Sequence, residues 1–240
     1  MEESLLINVN YKPFTLTMRS PGNEEELVRG LLFTENILPF GTDYNYQITE
    51  KKNGVITSVN VEIDEKHIQT DLLDKRNLLS VSSCGVCGKL ELNDKCDAEK
   101  PIESAIKINP QLIKSYFDEM AKHQTIFKQT GGCHASAVFD KNGNLLSIKE
   151  DIGRHNAVDK VIGDLILKKE LEKASVVLVS GRVSYEIITK AYMAEIPILA
   201  AVSAVSSLAV NLADDLGITL IGFSRDNKFT CYTHEERILA

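Results

Sequence analysis

An α/β fold is the prediction for this chain: a C-terminal sheet, mostly parallel and helix-covered on both faces, preceded by a smaller α+β unit. Three observations carry it. Val176–Val179, Ile198–Val202 and Ile218–Phe223 are short, continuous apolar runs, as expected of strands buried on both faces. Amphipathic stretches at 184–195 and 206–216 lie between them, the second closed by Gly217. Strands alternating with such helices imply parallel pairing. Ahead of them the chain changes character, with alternating strands and turn residues and no such regular alternation.

Leu5–Val9 and Phe14–Met18 flank Asn10-Tyr11-Lys12-Pro13 and read as a hairpin. Pro21-Gly22-Asn23 opens a helix, with Asn23 as its N-cap and Glu24, Glu25 and Glu26 at the positive end. Leu27, Val28, Leu31 and Leu32 form its apolar stripe, and Pro39 and Gly41 end the unit. Val55–Ile63 alternates as a strand. Residues 65–103 show little periodicity and read as a junction, dividing an N-terminal domain (1–103) from a C-terminal one (104–240). Asn109 caps a helix with Pro110 at its first position, and Leu112, Ile113, Tyr116, Phe117 and Met120 recur at helical spacing. His134–Phe139 and Leu145–Ile148 flank an Asn142-Gly143 turn, a strong hairpin signal. Asn156, with Asp159 three residues on, reads as the cap of the next helix, whose face is Ala157, Val158, Val161, Ile162, Leu165 and Ile166. Phe229–Tyr232 is an edge strand.

With 43% apolar residues among 240 and no tryptophan, the core must be built from Leu, Ile, Val and Ala. A net charge of -7 argues against a nucleic-acid partner, while leaving room for a local basic pocket. The chain start lacks a secretory pattern. The longest apolar stretch, Ile196–Val210, is broken by Pro197 and three serines and is too short to span a bilayer. A cytoplasmic protein without a membrane partner is therefore expected. Its five cysteines should be reduced unless they do chemistry.

Ligands of open α/β sheets bind beyond the carboxyl ends of the strands. Those ends hold Glu150–His155, Ser180–Ser184, Ser203 and the run Phe223, Ser224, Arg225, Asp226, Asn227, Lys228. Arg154, Arg182 and Arg225 would thus gather along one edge, where guanidinium forks and helix N-termini suit a phosphorylated ligand. The competing reading pairs them with Asp151, Glu186 and Asp226. Phe223 could stack on a base or simply pack. His155, at a proposed helix start, is the better functional histidine, with His134 a weaker candidate; His67 and His123 read as surface residues. Cys133 and Cys231 read as small core residues, and Cys96 as an exposed thiol without a special role.

Cys84-Gly85-Val86-Cys87 sets two thiols three residues apart, flanked by Gly88 and Lys89. Such spacing lowers a thiol pKa and raises its thiolate fraction. Three chemistries fit. Zinc binding needs two more ligands, for which Cys96 and one of Cys133 and His134 are available. Thiol–disulfide exchange would normally open a helix in a βαβ setting, which these flanks do not offer. Sulfur carriage needs a nucleophilic, exposed thiol. The spacing leaves all three open. Nucleobase deamination is disfavoured, because His134-Ala135-Ser136 has serine where the proton-shuttling glutamate belongs and the Cys-x-x-Cys lies upstream.

Six stretches together resemble the formate dehydrogenase accessory sulfurtransferases, the FdhD family. They are Thr17–Leu27, Ser82–Gly88, Thr130–Ala137, Glu150–Lys160, Ser180–Glu186 and Gly222–Arg225, and they run through most of the chain. The resemblance implies a cytidine-deaminase-like three-layer α/β domain without its zinc site, joined to the smaller N-terminal α+β domain. It implies sulfur transfer from a cysteine desulfurase, through a persulfide on Cys84 assisted by Cys87, to the molybdenum or tungsten bis(molybdopterin guanine dinucleotide) cofactor. That cofactor would then enter formate dehydrogenase. Phe223 to Lys228 would hold a guanine nucleotide of the cofactor, and the protein would be a homodimer with no permanently bound metal ion. Arg154, His155 and Arg182 are expected to line the same site. The alternative is a non-catalytic cofactor chaperone whose Cys-x-x-Cys is structural and could bind zinc.

Overall fold

The computed structural model describes residues 1–67, 100–225 and 228–239. Two sheets organise it. The first has four strands in the order β2-β1-β4-β3: β1 Glu3–Val9, β2 Lys12–Arg19, β3 Asn45–Lys52 and β4 Val55–Glu62. The β1–β2 hairpin turns through Asn10 and Tyr11, both at positive φ (48° and 63°), which matches the twist of the flanking strands. The β3–β4 hairpin does the same through Asn53 and Gly54. β1 and β4 pair in parallel.

Helix α1 (Glu24–Thr34) lays Leu27, Val28 and Leu32 onto the first sheet, against Leu5, Ile7, Val59 and Val61. Asn23 precedes it, but not as the expected cap. It sits at φ 60° and its side-chain amide donates to Glu26 Oε1 at 2.7 Å, rather than accepting from the backbone.

The second sheet has six strands in the order β10-β9-β8-β7-β5-β6. Its members are β5 His134–Asp140, β6 Leu145–Asp151, β7 Ala174–Val179, β8 Ile198–Ala201, β9 Thr219–Arg225 and β10 Lys228–Thr233. Only β7, β8 and β9 run parallel to one another. This corrects the expectation of a mostly parallel sheet. β5 and β6 form a hairpin across the Asn142-Gly143 turn, and β5 enters antiparallel to β7. At the other edge β10 folds back on β9.

Helices cover both faces. On one face lie α4 (Arg154–Leu167), α5 (Tyr185–Met193) and α6 (Ser207–Asp215), whose apolar residues share a cluster with Val138, Val177, Leu199 and Leu220. On the other face α2 (Pro110–His123) buries Ile113, Tyr116 and Met120 against Ala137, Phe139, Val176 and Leu178, with Tyr116 stacked on Phe139 at 4.4 Å. Asn109 caps α2 as expected, accepting from Gln111 N at 2.9 Å. A short helix, α3 (Thr125–Thr130), follows, with the Glu150 carboxylate accepting from Ile126 N and Phe127 N. Among the described residues no helix is long and apolar enough to cross a membrane.

The two layers lock where α1 crosses α4. A Cβ on Gly30 would lie 1.9 Å from the carbonyl oxygen of Asp159, and one on Gly163 1.8 Å from that of Glu26. Only glycine permits backbones this close. Beside the crossing, Asp159 on α4 is buried with Lys190 of α5, 2.6 Å away, and both bond the hydroxyl of Thr34 at 2.8 Å.

Candidate functional site

The first candidate region forms where β5 begins and β7 ends. Because the two strands are antiparallel, His134 arrives beside Ser180. Ser180 N donates to Ala135 O at 3.0 Å, and Ala135 N donates to Ser180 Oγ at 2.8 Å. His134 Nδ1 is then 3.5 Å from that hydroxyl. A Cβ at Gly181 would meet His134 Nδ1 at 3.1 Å and Arg154 Cδ at 3.5 Å, so the imidazole and the arginine stem converge over this glycine. Burial pushes the His134 pKa down. The positive charges of Arg154, His155 and Arg182 push the same way, and Asp151 opposes them.

The turn into α4 is built on Asp151, which is fully buried. Its Oδ1 accepts from Gly153 N (2.8 Å) and Asn156 Nδ2 (3.0 Å); its Oδ2 accepts from Ser20 N (3.1 Å) and pairs with Lys160 Nζ (2.7 Å). Asn156 is thus not the expected cap. The Asp151 turn starts the helix at Arg154, and the Asn156 amide reaches back to Asp151 and to Met18 O. Ser20 completes the arrangement: Lys160 donates to its carbonyl at 2.9 Å and Ile152 N to its hydroxyl at 3.0 Å. Cys133 Sγ lies 3.7 Å from the same hydroxyl and is half-buried, more open than a core residue.

His155 is buried, with Nε2 3.0 Å from Glu186 Oε2 and 3.2 Å from Ser184 Oγ. The serine and the carboxylate meet the same ring nitrogen, and Ser184 also donates to Glu186 at 3.1 Å. A nucleophilic relay needs them on opposite nitrogens, so Ser184, His155 and Glu186 do not form a Ser–His–acid triad. Asp151 and Glu186 are therefore engaged by Lys160 and His155, not by the arginines. Among the described residues no carboxylate comes within 4.0 Å of Arg154, Arg182 or Arg225. Arg154 Nε is buried without a hydrogen-bond partner among them, and Arg182 is exposed. Uncompensated guanidinium groups beside a half-buried imidazole suit an anion.

The second region is a pocket of about 770 Å³ between α2 and the β9–β10 hairpin. Pro110, Gln111, Ile113, Lys114, Phe117 and Asp118 line it from the helix. Ser224, Arg225, Lys228 and Phe229 line it from the strands. Among the described residues, three cations, two aromatic rings and a single carboxylate therefore share one concavity. Ser224 Oγ is buried with no partner among the described residues.

The predicted site residues thus separate. Arg154, His155 and Arg182 collect at the end of β7, while Ser224, Arg225 and Lys228 line the pocket, whose wall includes none of the first three. Phe223 is not part of that wall; it is about half exposed, at φ 52°. Cys84, Cys87, Cys96, Asp226 and Asn227 lie outside the described residues. Cys231 is half-buried on β10, and burial raises its thiol pKa. His67 and His123 are exposed, as expected. Sequence reasoning missed Ser20, Lys160 and the α2 side of the pocket. The helical spacing of Lys114, Phe117 and Asp118 was visible, but nothing local indicated that this face meets β9.

The FdhD/NarQ family model matches residues 1–239. The sulfur carrier protein FdhD of Sulfolobus acidocaldarius is 42% identical over 239 residues, covering 99% of this chain and 90% of that one. Its namesake from Streptomyces coelicolor is 40% identical over 246 residues, covering 99% and 87%. A crystal structure from Desulfotalea psychrophila, assigned as a formate dehydrogenase accessory protein, superposes with a TM-score of 0.76 at 25% identity, over 100% of this chain and 90% of the other. Matched from end to end by the family and by relatives about 40% identical, this chain belongs to the FdhD/NarQ family.

Proposed function

We propose that this protein is a cytoplasmic sulfurtransferase that carries persulfide sulfur from a cysteine desulfurase to the molybdenum or tungsten bis(molybdopterin guanine dinucleotide) cofactor of a formate dehydrogenase. The cofactor is the acceptor substrate, and the protein works as a homodimer. Cys84 thiolate attacks the terminal sulfur of the donor persulfide, the donor thiolate leaves, and the sulfur remains on Cys84. Delivery as sulfide requires two electrons. Cys87 thiolate supplies them by attacking the inner sulfur of the Cys84 persulfide: HS⁻ departs, a Cys84–Cys87 disulfide forms, and a dithiol reductant restores the pair.

The observation that carries the reading is the pocket between α2 and β9–β10. It is large enough for a nucleotide, has aromatic walls, and is cationic in a chain of net charge -7. Arg225, Lys228 and Lys114 neutralise phosphates there, and Ser224 offers a donor. Arg154 and Arg182, without carboxylate partners among the described residues, hold further anionic groups at the end of β7.

Incubation with a desulfurase and free cysteine should add one sulfur to the intact mass of the wild type. Cys84→Ala should abolish the gain and fail to support formate dehydrogenase activity in cells. Absence of any gain in the wild type, or one tightly held zinc per chain bound by Cys84 and Cys87, would overturn the reading.

A further inference from the structure

We propose that Asp118 makes the α2 pocket select guanine over other purines; the proposal rests on the nucleotide reading above. The pocket follows α2 from Pro110 to Asp118, nine residues whose eight steps rise about 12 Å along the helix. That is the reach of an extended mononucleotide from base to phosphates. The two ends of the wall differ. Pro110 and Gln111 sit at the positive end of a fourteen-residue helix. Asp118, two turns on, is the single carboxylate among the described residues of the lining.

A carboxylate in a pocket with three cations repels phosphate, so an anionic guest must present its other end to Asp118. Phe117, its neighbour on the helix, and Phe229 across the pocket offer flat apolar surface for a base. An ionised carboxylate only accepts hydrogen bonds, and does so with two oxygens. Guanine offers two adjacent donors, N1–H and the 2-amino group. Adenine presents a bare N1 acceptor at that edge, hypoxanthine lacks the amino group, and xanthine carries a carbonyl in its place. Asp118 is engaged by Lys114 at 2.6 Å, one turn away. Both side chains are more than half exposed, so this pair is weak and can be exchanged for a ligand.

The test is calorimetric titration of the full chain with GDP, IDP, ADP and XDP. Two-pronged base recognition discriminates by between about fivefold and a hundredfold, so wild type should bind GDP at least about tenfold tighter than ADP or XDP. Asp118→Asn places a donor where the second acceptor was. GDP should weaken about tenfold while XDP tightens about fivefold or more, a gain that loss of structure cannot mimic. Lys114→Met removes one cation and also the ion pair that competes for Asp118, so it should weaken ADP and XDP and leave the preference for GDP at least as large. Equal GDP and ADP affinity in wild type, or an Asp118→Asn protein with an unchanged GDP-to-XDP ratio, overturns the role of Asp118 alone. Failure of wild type to bind any nucleotide overturns the pocket reading, and this inference with it.

Discussion

Gly163→Ala sets two physical effects of opposite sign against each other at the crossing of α1 and α4. On an open helix surface, alanine in place of glycine stabilises by about 1 kcal/mol. Here the new methyl would lie 1.8 Å from Glu26 O and 2.7 Å from Gly30 N. Both are backbone atoms of α1 and cannot rotate aside. Contacts of Cβ atoms essentially never fall below 3.0 Å, so the helices must part by roughly 1.2 Å. Separation would loosen the cluster that holds Phe33, Val158 and Ile162, and it would pull Thr34 from Asp159 and Lys190. Overpacking of this kind costs about 1–3 kcal/mol, and the lost contacts add to it, so a net loss of about 2–3 kcal/mol is expected. With an m-value of about 2–3 kcal/mol/M, the urea midpoint should fall by roughly 1 M. Far-UV circular dichroism is the suitable probe, since the chain has no tryptophan. Gly30→Ala should behave alike, and the two losses should not add, because both open one crossing. A Gly163→Ala midpoint equal to or above wild type would refute the reasoning.

Lys190→Met should cost about 3–5 kcal/mol in the same assay, because it strands a buried Asp159 carboxylate. Burial already raises the Asp159 pKa above its ordinary 3.8. Its share of stability is therefore fully present below 3.8 and is lost as pH rises through the folded value, and Lys190→Met should steepen that loss. His134 runs the other way. Its folded pKa is held below 6.5, so its contribution is present above 6.5 and is lost as pH falls through the folded value. Its ring resonances should titrate below 6.5 by NMR, and Arg154→Met should move the midpoint up; no movement would remove Arg154 from the field acting on His134.

What the sequence revealed follows from where the physics is local. The turns at Asn10-Tyr11 and Asn142-Gly143, the Asn109-Pro110 cap and the apolar runs of β7, β8 and β9 depend on neighbouring residues, and they are where they were expected. β3 was missed because Asn45–Lys52 is polar and mostly exposed, though Asn53-Gly54 announces its hairpin. Asn156 looked like a cap because its sequence neighbours allow one. Its amide instead serves Asp151 and Met18, the latter 138 residues away. The mixed pairing of the second sheet escaped notice for a similar reason: apolar content does not encode strand direction. For the site, basic residues at strand ends were legible, but their division between the end of β7 and the α2 pocket depends on how distant elements pack.

Met18, Ser20 and Thr34 come from the first sixty residues, yet their bonds end on Asn156, Asp151, Lys160, Asp159 and Lys190. The leading portion of the chain is therefore a keystone and not an appendage. A truncated protein beginning at residue 104 would bare Lys160 and the glycine seat at Gly163, and should precipitate or melt. Supplied together, fragments severed between the two sheets should reassemble, because the bonds that join them do not need the chain between to be intact.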